Sequence, residues 1–138
     1  MSNAPLKILI VDDYEMVRVM LKRCLAQLGY SSVEEATDGN MAMEMVERAS
    51  GSGQPYSVIF SDLNMPTMNG FEFLAAVRKS PIFGKVPFVI ISAEAEIDFI
   101  TQALTQGAND YIIKPFSTQT LQKKIEKINE LLKRNAPH

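Results

Sequence analysis

The chain has 138 residues, 46% of them hydrophobic and 22% charged, with a formal net charge of −2. Those values fit one globular domain able to bury a single core, and the weak acidity argues against nucleic acid as a direct ligand. No run approaches the roughly 20 apolar residues needed to cross a bilayer and no leader-type pattern opens the chain, so a cytoplasmic protein without membrane attachment is expected.

Residues 6–11, Leu-Lys-Ile-Leu-Ile-Val, read as a buried strand that gives out into Asp12 and Asp13. Residues 14–28 change to helical spacing, with Val17, Met20, Leu21, Cys24 and Leu28 on one stripe and Gly29 placed as a C-terminal cap. Cys24 is the only cysteine, which rules out an intrachain disulfide framework, and its place on the apolar stripe predicts a buried, inert thiol. A second strand is predicted over residues 32–36. The helix after it carries Met41, Ala42, Met45, Val46 and Ala49, where methionines act as core filling.

Residues 50–55, Ser-Gly-Ser-Gly-Gln-Pro, read as a surface insertion on the edge away from the acidic residues. The third strand, residues 57–61, gives out into Asp62, followed by a loop whose Pro66 and Gly70 fix its shape. The fourth, residues 86–92, ends on the hydroxyl of Ser92 before the small Ala93. In the next helix Phe99 and Ala103 lie on one face, while Ile97, Ile100 and Leu104 cluster on another. The second cluster marks a partner surface, because exposed apolar groups often do.

A fifth strand, Asp110–Ile113, leads into Lys114-Pro115. An X-Pro bond can take the cis form in a tight turn, and here that would aim the Lys114 ammonium back over the strand ends. The last helix carries Leu121, Ile125, Ile128 and Leu132, and residues 133–138 are expected to fray. The one histidine, His138, falls in that tail, which argues against histidine acid–base or zinc chemistry.

Strand–helix alternation repeated five times predicts an α/β fold: a doubly wound, five-stranded parallel sheet with five helices, in a flavodoxin-like three-layer sandwich. Residues 1–138 are expected to form one domain with its core over about 6–132. Right-handed crossovers place every strand's carboxyl end on one edge, the edge where such sheets bind ligands. Asp12, Asp13, Asp62 and Lys114 would meet there. Clustered carboxylates repel one another unless they share a cation, and hard oxygen donors suit Mg²⁺; a carbonyl from the loop after Asp62 can add a further oxygen.

The run Ser61-Asp62-Leu63-Asn64-Met65-Pro66-Thr67-Met68-Asn69-Gly70 carries a family likeness. With Asp12-Asp13 before it and Ser92-Ala93 and Lys114-Pro115-Phe116 after it, the chain resembles the receiver domain of two-component response regulators. Among these it is most similar to the single-domain chemotaxis members. The likeness runs from about residue 6 to 132. It implies that Asp62 accepts a phosphoryl group from a sensor histidine kinase. It also implies that Asp12, Asp13 and Asp62, with the Asn64 main-chain carbonyl, hold Mg²⁺. Lys114 and Ser92 would contact the phosphate, Ser92 and Tyr111 would form the conformational switch, and Pro115 would set the loop geometry.

The resemblance further implies a phosphoacceptor that catalyses its own phosphoryl transfer and dephosphorylation, not an enzyme acting on a separate substrate. Its downstream partner would be a protein target, such as the flagellar motor switch, or the output domain of a longer regulator. The protein would be a monomer, with dimerisation on activation as an alternative. The implied partner face joins Ile97, Ile100 and Leu104 to Lys124 and Lys127. Ile97 stands where chemotaxis members carry a lysine, so the target itself stays open.

The chemistry points the same way, since a carboxylate can accept a phosphoryl group covalently and the transfer needs chiefly alignment and charge neutralisation. Rival readings fit less well. A flavodoxin needs a phosphate cradle after the first strand, where Asp12-Asp13-Tyr14-Glu15 would repel the anion. A haloacid-dehalogenase-type enzyme needs Asp-x-Asp there, and the second carboxylate is missing at that offset. A scaffold receiver that is never phosphorylated has no need of all five site elements.

Overall fold

Strands β1 (Ile8–Val11), β3 (Val58–Ser61) and β4 (Phe88–Ser92) are each buried along their whole length. Such a strand is covered by helices on both faces, as parallel sheets require. The computed structural model describes residues 6–135 and pairs these strands with β2 (Val33–Ala36) and β5 (Asp110–Ile113) in one parallel sheet of order β2-β1-β3-β4-β5.

Side chains alternate between two cores. Ile8, Ile10, Val58, Phe60, Val89, Ile91 and Ile112 face α1 (Glu15–Gln27) and α5 (Thr118–Asn135). Leu9, Val11, Ile59, Phe88 and Ile90 face α2 (Gly39–Gly51), α3 (Gly70–Arg78) and α4 (Ile97–Thr105). This is the doubly wound, five-helix sandwich expected from the sequence.

Register puts the functional edge in order. Val11 pairs with Ala36 on one side and Ser61 on the other, so Asp12 and Asp62 are each the first residue past adjacent strands. The ladder continues one step beyond, with Asp62 N–H donating to the Val11 carbonyl at 2.9 Å and Asp12 N–H to the Ala36 carbonyl at 3.1 Å. Ser92 pairs with Ile113, which sets Lys114 just past β5.

Local chemistry fixes the helix ends. Gly29, with φ +94°, ends α1 as a left-handed cap. Asn69 and Glu72 close a reciprocal capping box at the start of α3. Gly70 sits so close to the Asp62 carbonyl that a Cβ would clash with it, so only glycine lets α3 begin against the site loop.

Several details differ from the sequence reading. Strand β2 is half-exposed, because it is an edge strand whose Glu34 and Glu35 form polar contacts. In α1 the buried residues are Leu21 and Leu25, while Met20 is 47% exposed; the stripe is rotated toward Leu25 to meet α5. Met41 is exposed, and Ala42, Val46 and Ala49 carry the α2 contact. Cys24 is only half-buried and accepts a hydrogen bond from the Thr118 hydroxyl at 3.2 Å. Ser50 and Gly51 belong to the last turn of α2, and α5 continues through Lys133 and Arg134, two of the residues expected to fray. His138 lies outside the described residues.

Candidate functional site

The carboxyl ends of β1 and β3 bring Asp12, Asp13 and Asp62 together, with one oxygen from each lying within 4.8 Å of the others. Asp12 and Asp62 are buried and Asp13 is exposed, so the cluster opens to solvent on one side only. Lys114 reaches back from the end of β5 and donates from Nζ to Asp12 Oδ2 at 2.8 Å, with Asp62 Oδ2 at 3.4 Å. The Lys114–Pro115 bond is cis, as the sequence suggested it could be.

Each buried carboxylate is also held by main chain. Asp12 Oδ1 accepts the Tyr14 N–H at 2.9 Å, and Asp62 Oδ1 accepts the Leu63 N–H at 2.8 Å. Burial raises the Asp62 carboxyl above the ordinary carboxylate range; Lys114 opposes that shift, Asp12 adds to it, and the Leu63 and Asn64 N–H groups work against it. Three acidic groups around one ammonium leave an excess of negative charge. All the donors are hard oxygens, so the residues present fit a divalent cation such as Mg²⁺.

Ser92 is fully buried, and its Oγ accepts the Glu94 N–H at 3.2 Å. Tyr111 lies beneath the same loop. Its ring is 8% exposed and its hydroxyl donates to the Glu94 carbonyl at 2.6 Å. Tyr111 was expected to form the switch with Ser92, and in this structure its ring is already buried. Glu94, which sequence reasoning missed, links these groups to Asn64, whose side-chain amide donates to Glu94 Oε1 at 3.3 Å. No local pattern in the sequence could have disclosed a role that comes from its main-chain carbonyl.

The expected partner face divides. Ile97 is 76% exposed and Leu104 48%, but Ile100 packs on the core beside Phe99 and Ala103. The α4 stripe that meets the sheet is thus wider than expected and takes in Ile100. Lys124 donates to Asp110 Oδ1 at 2.9 Å and is largely covered, whereas Lys127 stays exposed with Nζ 3.7 Å from the same carboxylate. Arg18 is a second omission: its guanidinium donates to the Asp12 carbonyl at 2.7 Å and to Glu35 Oε1 at 3.0 Å.

A parallel sheet with an aspartate at the end of β3, an acidic pair after β1 and a lysine after β5 defines a phosphorelay-type signalling module. The response regulator receiver domain family matches residues 8–126, and the chain belongs to that family. Within it the chain is homologous to the CheY chemotaxis regulators. It is 41% identical to the chemotaxis protein CheY of Pseudomonas aeruginosa over 125 residues, 91% of this chain and 97% of that one. It is 37% identical to CheY-3 of Vibrio cholerae over 130 residues, 94% of this chain and 96% of that one.

Solved structures agree. The chemotaxis response regulator CheY4 of Vibrio cholerae superposes with a TM-score of 0.80 at 34% identity, covering 91% of this chain and 99% of that one. The receiver domain of the sensor histidine kinase PA1611 from Pseudomonas aeruginosa has a TM-score of 0.77 at 28% identity, covering 92% and 99%; in it a magnesium ion is coordinated in the active-site cleft. The chain is therefore a receiver domain, a signalling switch and not an enzyme with a separate substrate. Among the described residues, no helix is long and apolar enough to cross a membrane.

Proposed function

We propose that Asp62 is the phosphoacceptor of a two-component phosphorelay, charged by a sensor histidine kinase in a Mg²⁺-dependent reaction that the chain's own residues catalyse. The observation that carries this reading is the position of Asp62. It ends β3 in the middle of the sheet, with Oδ2 3.4 Å from the Lys114 ammonium and inside the cluster that Asp13 opens to solvent. Asp12 is held more tightly, by Tyr14 N–H and by Lys114 at 2.8 Å against 3.4 Å for Asp62, which favours a holding role for Asp12.

In the transfer, an Asp62 carboxylate oxygen attacks phosphorus in line with the leaving group. A new O–P bond gives an acyl phosphate, the donor's P–N bond breaks, and the imidazole departs with the electron pair. Asp12, Asp13, Asp62 and the Asn64 main-chain carbonyl would hold Mg²⁺, which supplies positive charge against the transferred oxygens. Lys114 adds a second positive charge and keeps the phosphoryl oxygens oriented. Hydrolysis of the acyl phosphate by water, on the same groups, returns the switch to rest.

Ser92 lies under the site with a hydroxyl proton to offer a phosphate oxygen. Moving Ser92 pulls on Glu94, whose N–H it accepts and whose carbonyl holds Tyr111. With the ring already inward, the change passes through the loop before α4 to the surface of Ile97, Leu104 and Lys127, where a protein target docks. Homology to CheY favours chemotaxis control in the cytoplasm, with the flagellar motor switch as a target. Intact mass spectrometry with Mg²⁺ and acetyl phosphate tests the core of this reading: the wild type gains one phosphoryl group and Asp62→Asn gains none. Full labelling of Asp62→Asn would sink the assignment.

A further inference from the structure

The acidic pair after β1 needs more than its own side chains to point correctly. The Asp12 carbonyl belongs to the peptide plane that joins Asp12 to Asp13, and a trans peptide is rigid. Whatever grips that carbonyl therefore sets the angle between the two carboxylates. In this fold the grip comes from Arg18, one turn into α1, whose Nη1 donates to the Asp12 carbonyl at 2.7 Å.

The grip is itself braced. Arg18 Nε donates to Glu35 Oε1 at 3.0 Å, and Lys22 Nζ holds the other Glu35 oxygen at 2.9 Å. Glu35 lies on β2 directly beside Ile10, and the Asp12 N–H bonds the Ala36 carbonyl one residue further along the same strand. Asp12 is thus tied through its N–H to β2 and through its carbonyl to α1. The Arg18 side chain is 13% exposed, so little water competes for these bonds.

We infer that Arg18 is a positioning residue for the cation site: through the Asp12 carbonyl it presets the separation of the Asp12 and Asp13 carboxylates, and so sets metal affinity. This rests on the reading that these carboxylates hold Mg²⁺. The rival role is a plain brace between α1 and β2. Electrostatics alone pulls the other way, because a guanidinium near a cation site repels the cation, and Glu35 offsets only part of that charge. The sign of the effect therefore separates the two.

The test measures Mg²⁺ affinity of the full chain by calorimetry, and separately the Mg²⁺ concentration that half-saturates phosphate uptake from acetyl phosphate. Arg18→Ala is expected to weaken Mg²⁺ binding about 10-fold, as loss of a ligand-orienting partner does. Its rate of uptake at saturating Mg²⁺ should stay near wild type. Arg18→Lys, which can reach the carbonyl but not fork to Glu35 as well, should recover part of the affinity. Should Arg18→Ala fold poorly, Glu35→Gln keeps one acceptor oxygen but loses the charge and the second acceptor, so it loosens the brace and should weaken Mg²⁺ in the same direction by less. Unchanged or tighter Mg²⁺ binding in Arg18→Ala, with lowered thermal stability, would overturn the inference and leave a brace. Asp13→Ala is the control for the underlying reading. If it too leaves Mg²⁺ affinity intact, the cation site is wrong and this inference falls with it; if it abolishes binding while Arg18→Ala does nothing, only Arg18 was misjudged.

Discussion

At the edge where the strands begin, Arg78 of α3 sets a half-buried guanidinium among neutral acceptors. At the edge where they end, three carboxylates crowd one ammonium. Arg78 gives its donors to the Gly84 and Val86 carbonyls at 3.0 and 2.6 Å, to the Gly107 carbonyl at 3.0 and 2.8 Å, and to Asn109 Oδ1 at 3.1 Å. Its charge is spread over dipoles that complete its hydrogen bonding, and burial lowers its pKa without freeing it from the network. The acidic cluster has no such closure: Lys114 serves two buried carboxylates and Asp13 faces solvent. A charge whose bonds are complete belongs to the framework. One left in excess, at the edge where parallel sheets take ligands, belongs to function.

That contrast can be broken most severely at Arg78. Arg78→Ala removes donors from three main-chain carbonyls and a side-chain amide at once, and should cost about 3 kcal/mol of stability by urea unfolding. Phosphate uptake of the fraction that remains folded should be normal. A loss of uptake out of proportion to unfolding would mean that the two edges are not separable.

Next in size is the response to metal. Mg²⁺ at 100 times its dissociation constant should add about 2.7 kcal/mol to the acidic edge's stability account, read as a rise in melting temperature. Asp13→Ala should lose that gain together with phosphate uptake. An unchanged melting temperature in millimolar Mg²⁺, with labelling that persists in chelator, would mean the carboxylates do not share a cation.

Smaller still is the effect of the uncompensated charge itself. Because the folded Asp62 carboxyl is raised above its unfolded value, the native state binds the proton more tightly there. The metal-free protein should therefore gain stability from this group as pH falls through the raised folded value toward the ordinary carboxylate range, and lose it again on return to neutral pH. Asp62→Asn should erase that pH dependence and stabilise the metal-free fold at neutral pH by about 1 kcal/mol. Glu35, held low chiefly by Lys22 despite some burial, contributes with the opposite sign, so Glu35→Gln should matter at neutral pH and cease to matter in acid. The smallest expected change is in Ser92→Ala: phosphate uptake persists, while the phosphate-linked shifts in amide resonances over residues 94–97 shrink.

The acidic edge was legible in the sequence because each of its charges ends an apolar run, and a parallel sheet lines up such ends regardless of loop detail. The basic knot at the other edge was not, since Arg78 looks like an ordinary helix-terminal cation until the loops carrying Gly84 and Gly107 fold over it. Edge position was equally hidden: residues 32–36 read as a strand like the others, yet β2 has a neighbour on one side only. Helix stripes were read to within one position, which sufficed for α5 but left Leu25 out of α1 and put Ile100 on the wrong face of α4. Tyr111 was placed correctly on its strand, but its ring position depends on the Glu94 carbonyl, a contact set by the path of a loop.

The central claim is that the carboxylate at position 62, and no other, takes the phosphoryl group. Borohydride reduction of the acyl phosphate, followed by peptide mapping of the protein charged with Mg²⁺ and acetyl phosphate, reads this directly. Homoserine in place of aspartate at position 62 alone is the expected result; homoserine at position 12 or 13, or at none of the three, contradicts it.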